Sequence, residues 1–181
     1  MAGEIRSLLV LGGARSGKSR YAQTLVEQSG KTHVFIATAQ PGDGEMAARI
    51  AAHKDERGAH WRTVEAPLLL DAALRQVAAP DTIVLVDCLT LWLSNLMFAS
   101  CDVVSESLRL TETIRSLPGP AVFVSNEVGT GIVPDNRLAR EFRDAQGRLN
   151  QIAAAACDMV VFVAAGLPLT LKPGSHNAPM L

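Results

Sequence analysis

A single-domain α/β fold, with a mostly parallel, doubly wound sheet flanked by helices, is what this sequence predicts, and three observations predict it. Short apolar runs alternate with longer stretches of helical pattern, the signature of repeated strand-helix-strand units. Residues Gly12–Ser19 read GGARSGKS, directly after the first apolar run and directly before the first helical stretch. The chain has 181 residues, of which 48% are hydrophobic and 19% charged: enough for one well-filled core, too short for two full domains.

Ser7–Leu11 (SLLVL) has the unbroken apolar character of a strand covered on both faces in a parallel sheet. A helix follows from Lys18 to about Ser29, then a second strand at Thr32–Ala37 (THVFIA). Pro41, Gly42, Asp43 and Gly44 make a turn, and Glu45 to about Ala59 has Met46, Ile50 and Lys54 at helical spacing. An extended piece at Trp61–Glu65 precedes a helix at Leu68–Ala78. Thr82–Val86 (TIVLV) is a third buried strand, which Asp87 ends. Helices at Leu89–Ala99 and Val103–Leu117 lead through Pro118, Gly119 and Pro120 to a strand at Ala121–Ser125. Helical pattern resumes over Arg137–Cys157, and Met159–Ala164 (MVVFVA) is the last strong strand. Gly166 and Pro168 turn the chain into a short edge strand at Leu169–Lys172, and 173–181 reads as a flexible tail behind a domain of residues 1–172. No internal repeat or low-complexity segment is visible.

The glycine-rich segment has the spacing G-x-x-x-x-G-K-S of a P-loop, and its strand-before, helix-after context is what that reading requires. Glycines let the backbone close around phosphate oxygens, so that its N–H groups and the positive end of the following helix face the anion. Gly12, Gly13, Ala14, Arg15, Ser16, Gly17, Lys18 and Ser19 are therefore the expected cradle of a nucleotide. Lys18 would reach the β- and γ-phosphates, and Ser19 would offer its hydroxyl to Mg²⁺. Asp87, at a strand end, is either the carboxylate that completes the metal's surroundings or a strand-terminal cap. The fold class thus narrows to that of the P-loop NTPases, in which ligands sit at the carboxyl ends of the strands.

Bulk properties exclude several other classes. With 17 basic and 18 acidic residues the formal charge is −1, so no overall field draws nucleic acid or anionic lipid. Cys88, Cys101 and Cys157 form no CxxC pair and are expected to be buried, reduced thiols. No secretory leader is apparent, and Asp87 and Asn95 interrupt the apolar stretch Ile83–Ala99, so no membrane span is expected and the protein is expected in the cytoplasm.

A P-loop reports nucleotide binding without saying what is done with it. Several further segments are more specific: GGARSGKSRYA at the start, IATAQ at Ile36–Gln40, RIAAHKDERGAHWRTVE at Arg49–Glu65, NEVGTGIVP at Asn126–Pro134, and RLAREFRDAQGRLNQ at Arg137–Gln151. Together, over about Leu8–Lys172, the sequence resembles the bifunctional adenosylcobinamide kinase / adenosylcobinamide-phosphate guanylyltransferase family of cobalamin biosynthesis. The resemblance implies ATP or GTP as donor for phosphorylating adenosylcobinamide, then transfer of GMP from GTP to adenosylcobinamide-phosphate. It implies that His53 is the nucleophile that carries GMP, and that Thr38, Ala39, Gln40, the segment His53, Lys54, Asp55 and Glu56, Glu65 and Asp87 line the guanine nucleotide site. It also implies a homotrimer whose neighbouring subunits complete one another's sites, the NEVGTGIVP loop contributing.

Other residues carry competing readings. From its neighbours alone, His53 would be a surface histidine, and the motif match is what favours it over His60; His33 and His176 are read as bystanders. Arg15 and Arg20 flank the loop as phosphate ligands or as solvated charge. Asn126 and Glu127 end a strand at the ligand edge. Trp61 and Trp92 are expected in the core or at subunit contacts rather than as a corrin-stacking platform. Arg137, Arg140, Arg143 and Arg148 are interleaved with Glu141 and Asp144, which favours a solvated or subunit-facing helix over a nucleic-acid stripe. Two rivals remain: a P-loop kinase of another small metabolite, in which His53 is only structural, and a regulatory NTPase.

Overall fold

The computed structural model describes residues 5–40 and 60–174. Seven strands form one sheet: β1 (Ser7–Gly12), β2 (Thr32–Ala37), β3 (Trp61–Glu65), β4 (Thr82–Asp87), β5 (Ala121–Asn126), β6 (Met159–Ala164) and β7 (Leu167–Lys172). Five helices are described: α1 (Lys18–Glu27), α2 (Leu70–Val77), α3 (Leu89–Phe98), α4 (Val103–Ser116) and α5 (Arg137–Ala156). The expected helix at Glu45–Ala59 lies outside the described residues, as do 175–181 of the expected tail.

The strand order is β3-β2-β4-β5-β1-β6-β7. Every pairing is parallel except β6 with β7, an antiparallel hairpin. The edge strand begins at Leu167, two residues earlier than the sequence reading, because a tight turn at Ala165 and Gly166, both at positive φ, reverses the chain at once.

The unbroken apolar runs follow from burial on both faces. Leu9, Leu11, Val34, Ile36, Val84 and Val86 point to one face, where α2, α3, α4 and α5 cover them with Leu74, Trp92, Leu110 and Leu149. Leu8, Val10, Phe35, Leu85, Val122 and Val161 point to the other, where α1 contributes Ala22 and Val26. The period-two alternation is present, but both of its phases are apolar.

Trp92 is fully buried in the first of these layers and donates its indole N–H to the Leu68 carbonyl at 2.8 Å. Trp61 is buried in the second layer, and His33 packs on it with ring centroids 5.0 Å apart, at the sheet end opposite the glycine-rich loop. Cys88 and Cys157 are buried as expected, whereas Cys101 is only half-buried, at the loop between α3 and α4. Lys172 caps α5, its ammonium donating to the carbonyls of Ala154 at 3.1 Å, Ala155 at 3.4 Å and Cys157 at 2.6 Å. A cation there satisfies orphan carbonyls and opposes the negative helix end. Lys172→Met is expected to lower unfolding stability by about 1–2 kcal/mol, read from the urea midpoint at constant slope.

Candidate functional site

β1 delivers the chain to Gly12 at the carboxyl end of the sheet, and the segment up to Gly17 curls back to start α1 at Lys18. Gly17 sits at φ 94° as the helix N-cap, a conformation that suits glycine. Gly12 is held between fixed neighbours: a Cβ added there would lie 2.5 Å from the Val163 carbonyl oxygen and 2.5 Å from Ser16 Oγ. The turn between β6 and β7 closes over the loop, with the Gly166 N–H donating to the Ser16 carbonyl at 2.8 Å. Gly13 and Ala14 form the outer part of the loop.

Lys18 is almost wholly buried, and its ammonium donates to the Gly13 carbonyl at 3.1 Å. The cation is thus folded back over the loop whose amides would face an anion. Ser19, next on α1, is half-buried.

Asp87 ends β4 two strands away from β1, with β5 between them. Register places Asp87 beside Ala37 and Val124, and Gly12 beside Asn126. At the usual strand spacing this separates the Asp87 and P-loop backbones by roughly 10 Å. Burial, and after it the Asp87 carboxylate, pushes the Cys88 thiol up to about 12, against the opposing pull of the Leu91 and Thr90 backbone and of Lys18. That thiol therefore stays protonated at neutral pH, and the Asp87 and Lys18 charges act on the same small region.

Thr38, just beyond β2, is completely buried. Its hydroxyl donates to the Cys88 carbonyl at 2.7 Å and accepts from the Cys88 N–H at 2.9 Å, tying the end of β2 to the residue after Asp87. Asn95 of α3 adds amide donors to the Thr38 carbonyl at 2.8 Å and the Pro67 carbonyl at 2.9 Å. Thr38→Val would leave the Cys88 N–H buried and unpaired and take one of two donors from the Cys88 carbonyl, which keeps the Trp92 N–H at 3.2 Å. A stability loss of about 1–3 kcal/mol is expected, read by chemical denaturation. Ala39 and Gln40 carry the chain out of β2 at this same edge, with Glu65 ending β3 beside Ala37. His53, Lys54, Asp55 and Glu56 lie outside the described residues.

The sequence reading missed the clamp on β5. The Asn126 N–H donates to Thr90 Oγ1 at 2.8 Å, its carbonyl accepts from Asn150 Nδ2 at 3.0 Å, and the Glu127 N–H donates to the Gly12 carbonyl at 3.1 Å. Buried Ser125 and Gln146 complete the network around Asn150 Oδ1, at 2.7 and 2.9 Å. Thus Asn126 and Glu127 do reach the ligand edge, and Asn126 Oδ1 is buried there without a hydrogen-bond partner among the described residues. The only sequence signal was the presence of polar residues on the inner face of a helix read for its arginines. Those arginines are locally engaged, Arg137 with Glu141 at 2.6 Å and Arg140 with the Pro134 and Asp135 carbonyls, as a solvated helix requires.

Ser19 and Asp87 offer a hydroxyl and a carboxylate, hard oxygen donors of the kind Mg²⁺ takes. Among the described residues no group of three or more His, Cys, Asp or Glu could hold a metal. With nucleotides, Mg²⁺ is usually held by one or two protein oxygens and otherwise by substrate phosphates and water.

The family model described as cobinamide kinase / cobinamide phosphate guanyltransferase matches residues 8–171. The bifunctional adenosylcobalamin biosynthesis protein CobP of Pseudomonas aeruginosa is 51% identical over 168 residues, covering 91% of this chain and 96% of that protein. The bifunctional adenosylcobalamin biosynthesis protein CobU of Salmonella typhimurium is 44% identical over 180 residues, covering 91% and 99%. Among solved structures, a prototypical ATPase from the type III secretion system of pathogenic bacteria superposes with a TM-score of 0.54 at 11% identity, over 91% of this chain and 56% of that one, a likeness of fold alone.

Proposed function

The chain belongs to the cobinamide kinase / cobinamide phosphate guanyltransferase family and carries out both reactions in adenosylcobalamin biosynthesis, and from that premise we propose that one P-loop serves both, with His53 carrying GMP between them. In the first reaction the γ-phosphoryl of ATP or GTP passes to the aminopropanol hydroxyl of adenosylcobinamide. The loop amides and Lys18 hold the transferring phosphates and offset the charge that develops on them. Ser19 and Asp87 would hold Mg²⁺, which when bound would add further neutralisation of phosphate charge.

In the second reaction an imidazole nitrogen of His53 attacks the α-phosphorus of GTP. A P–N bond forms, the bond to the bridging oxygen breaks, and pyrophosphate leaves with that electron pair. An oxygen of adenosylcobinamide-phosphate then attacks the same phosphorus, breaks the P–N bond, regenerates the imidazole and yields adenosylcobinamide-GDP. Lys54, Asp55, Glu56, Thr38, Ala39, Gln40, Glu65 and Asp87 form the guanine nucleotide's surroundings in this reading, Thr38 by positioning Asp87 and Cys88.

The observation that carries the reading is the family match over residues 8–171, which contains the His53 segment whole. Geometry supports it: the chain leaves β2 through Thr38, Ala39 and Gln40 at the carboxyl end of the sheet, where Asp87 and Glu65 also lie, on its way to the His53 segment. No described helix is long and apolar enough to cross a membrane. A cytoplasmic homotrimer that binds no nucleic acid completes the reading. It is supported by the exposure of Ile132, Val133 and Leu138 on and beside the loop after β5, apolar surface that suits a subunit contact.

Radiolabel separates this reading from a simple kinase. GTP labelled at the α-phosphate should leave an acid-labile, base-stable label on the protein, and ATP labelled at the γ-phosphate should label cobinamide. Phosphorylation of cobinamide with no label retained from the α-position would remove the covalent step and leave the kinase alone.

A further inference from the structure

A cleft of about 490 Å³ lies on the flank of the P-loop away from β2 and β4, lined by Arg15, Ser16, Gly17, Arg20, Tyr21, Thr24 and Gly166. The sheet order makes the two flanks distinct. β1 has β5, β4 and β2 on one side, where Asp87, Thr38 and Gln40 lie, and β6 with β7 on the other, where Gly166 closes the cleft. One wall is the first two turns of α1, the opposite one the β6–β7 turn, and its inner end is the loop itself.

Its lining suits a nucleoside. Gly17 to Thr24 is about 10 Å along the helix, the scale of a ribose with its base. Tyr21 is half-buried and supplies an aromatic ring, and Thr24 is exposed one turn further on. Arg15 and Arg20 are exposed cations, and neither has an ion-pair partner among the described residues. Ser16 Oγ is buried at the inner end, against Gly12, and has no hydrogen-bond partner among the described residues.

We infer that this cleft seats the purine nucleoside of the triphosphate used for phosphoryl transfer, while the guanine used for guanylyl transfer lies on the β2–β4 flank. The inference rests on the reading that Gly12–Ser19 cradles phosphates. The two reactions require different atoms to face the acceptor: the γ-phosphorus in one, the α-phosphorus in the other. A single cradle open on both flanks meets both demands by letting the nucleoside leave in either direction.

The test uses calorimetric binding of two probes to the full chain: the non-hydrolysable β,γ-imido analogue of ATP, and inorganic tripolyphosphate, which lacks a nucleoside. Tyr21→Ala removes the stacking ring, and Thr24→Trp fills the cleft from an exposed helix position that leaves the fold intact. Each should weaken the ATP analogue about tenfold while tripolyphosphate stays within about twofold. If the variants bind both probes as the native chain does, or lose both equally, the nucleoside does not occupy this cleft. If the native chain binds neither probe, the phosphate cradle fails and this inference with it, a result distinct from the first two.

Discussion

Lys18→Ala is expected to slow both half-reactions together, each by roughly 10²–10³-fold in kcat/KM, because removing one preorganised charge donor from a phosphoryl site costs on that order. In the structure Lys18 is almost wholly buried and its ammonium rests on the Gly13 carbonyl. Among the described residues its hydrogen-bond acceptor is this one neutral carbonyl, an arrangement that contributes little to folding. Stability should accordingly be unchanged or slightly higher in the variant, measured by urea unfolding without nucleotide. Activity lost without stability lost marks a residue held for function. Survival of either half-reaction at the native rate would mean that its phosphates are held elsewhere, and the shared cradle would have to be given up.

Gly12→Val should do the reverse, damaging fold and function at once. A Cβ at this position meets the Val163 carbonyl and Ser16 Oγ at 2.5 Å, and the first of these is strand backbone that pairs with β1 and cannot turn aside. Either β1 and β6 part or the loop re-forms in another shape. A stability loss of about 2–3 kcal/mol is expected from such overpacking, with nucleotide affinity reduced at least about 100-fold. Gly13→Ala is the control, since nothing lies within 4 Å of the added atom. It should change stability by no more than about 0.5 kcal/mol. Equal behaviour of the two variants would mean that the close packing of the loop against β6 is not what shapes the cradle.

The strands were legible in the sequence because parallel strands buried on both faces must be nearly all apolar, as Ser7–Leu11, Thr82–Val86 and Met159–Ala164 are. The P-loop was legible because its chemistry is local: eight consecutive residues hold the glycines, the lysine and the serine. What could not be read is what depends on distant pairing. The motif marks Thr38 only as a residue of the nucleotide's surroundings, and nothing local says that its hydroxyl binds the backbone of Cys88, 50 residues away. Gln146 and Asn150 sit on a helix whose arginines drew attention to its outer face, while they brace Ser125 and Asn126 from the inner one. The Gly166 turn is marked in the sequence only as a turn, and nothing local says that it closes on Ser16, 150 positions earlier.

The guanylyl-transfer claim stands or falls on a covalent bond to one residue. Intact-mass spectrometry after incubation with GTP and Mg²⁺, comparing the native chain with His53→Ala, tests it most directly. A mass gain of one GMP is expected in the native chain and none in the variant, with both chains folded and binding GTP. A native chain that binds GTP and shows no gain, or a variant that gains the same mass, would contradict the claim.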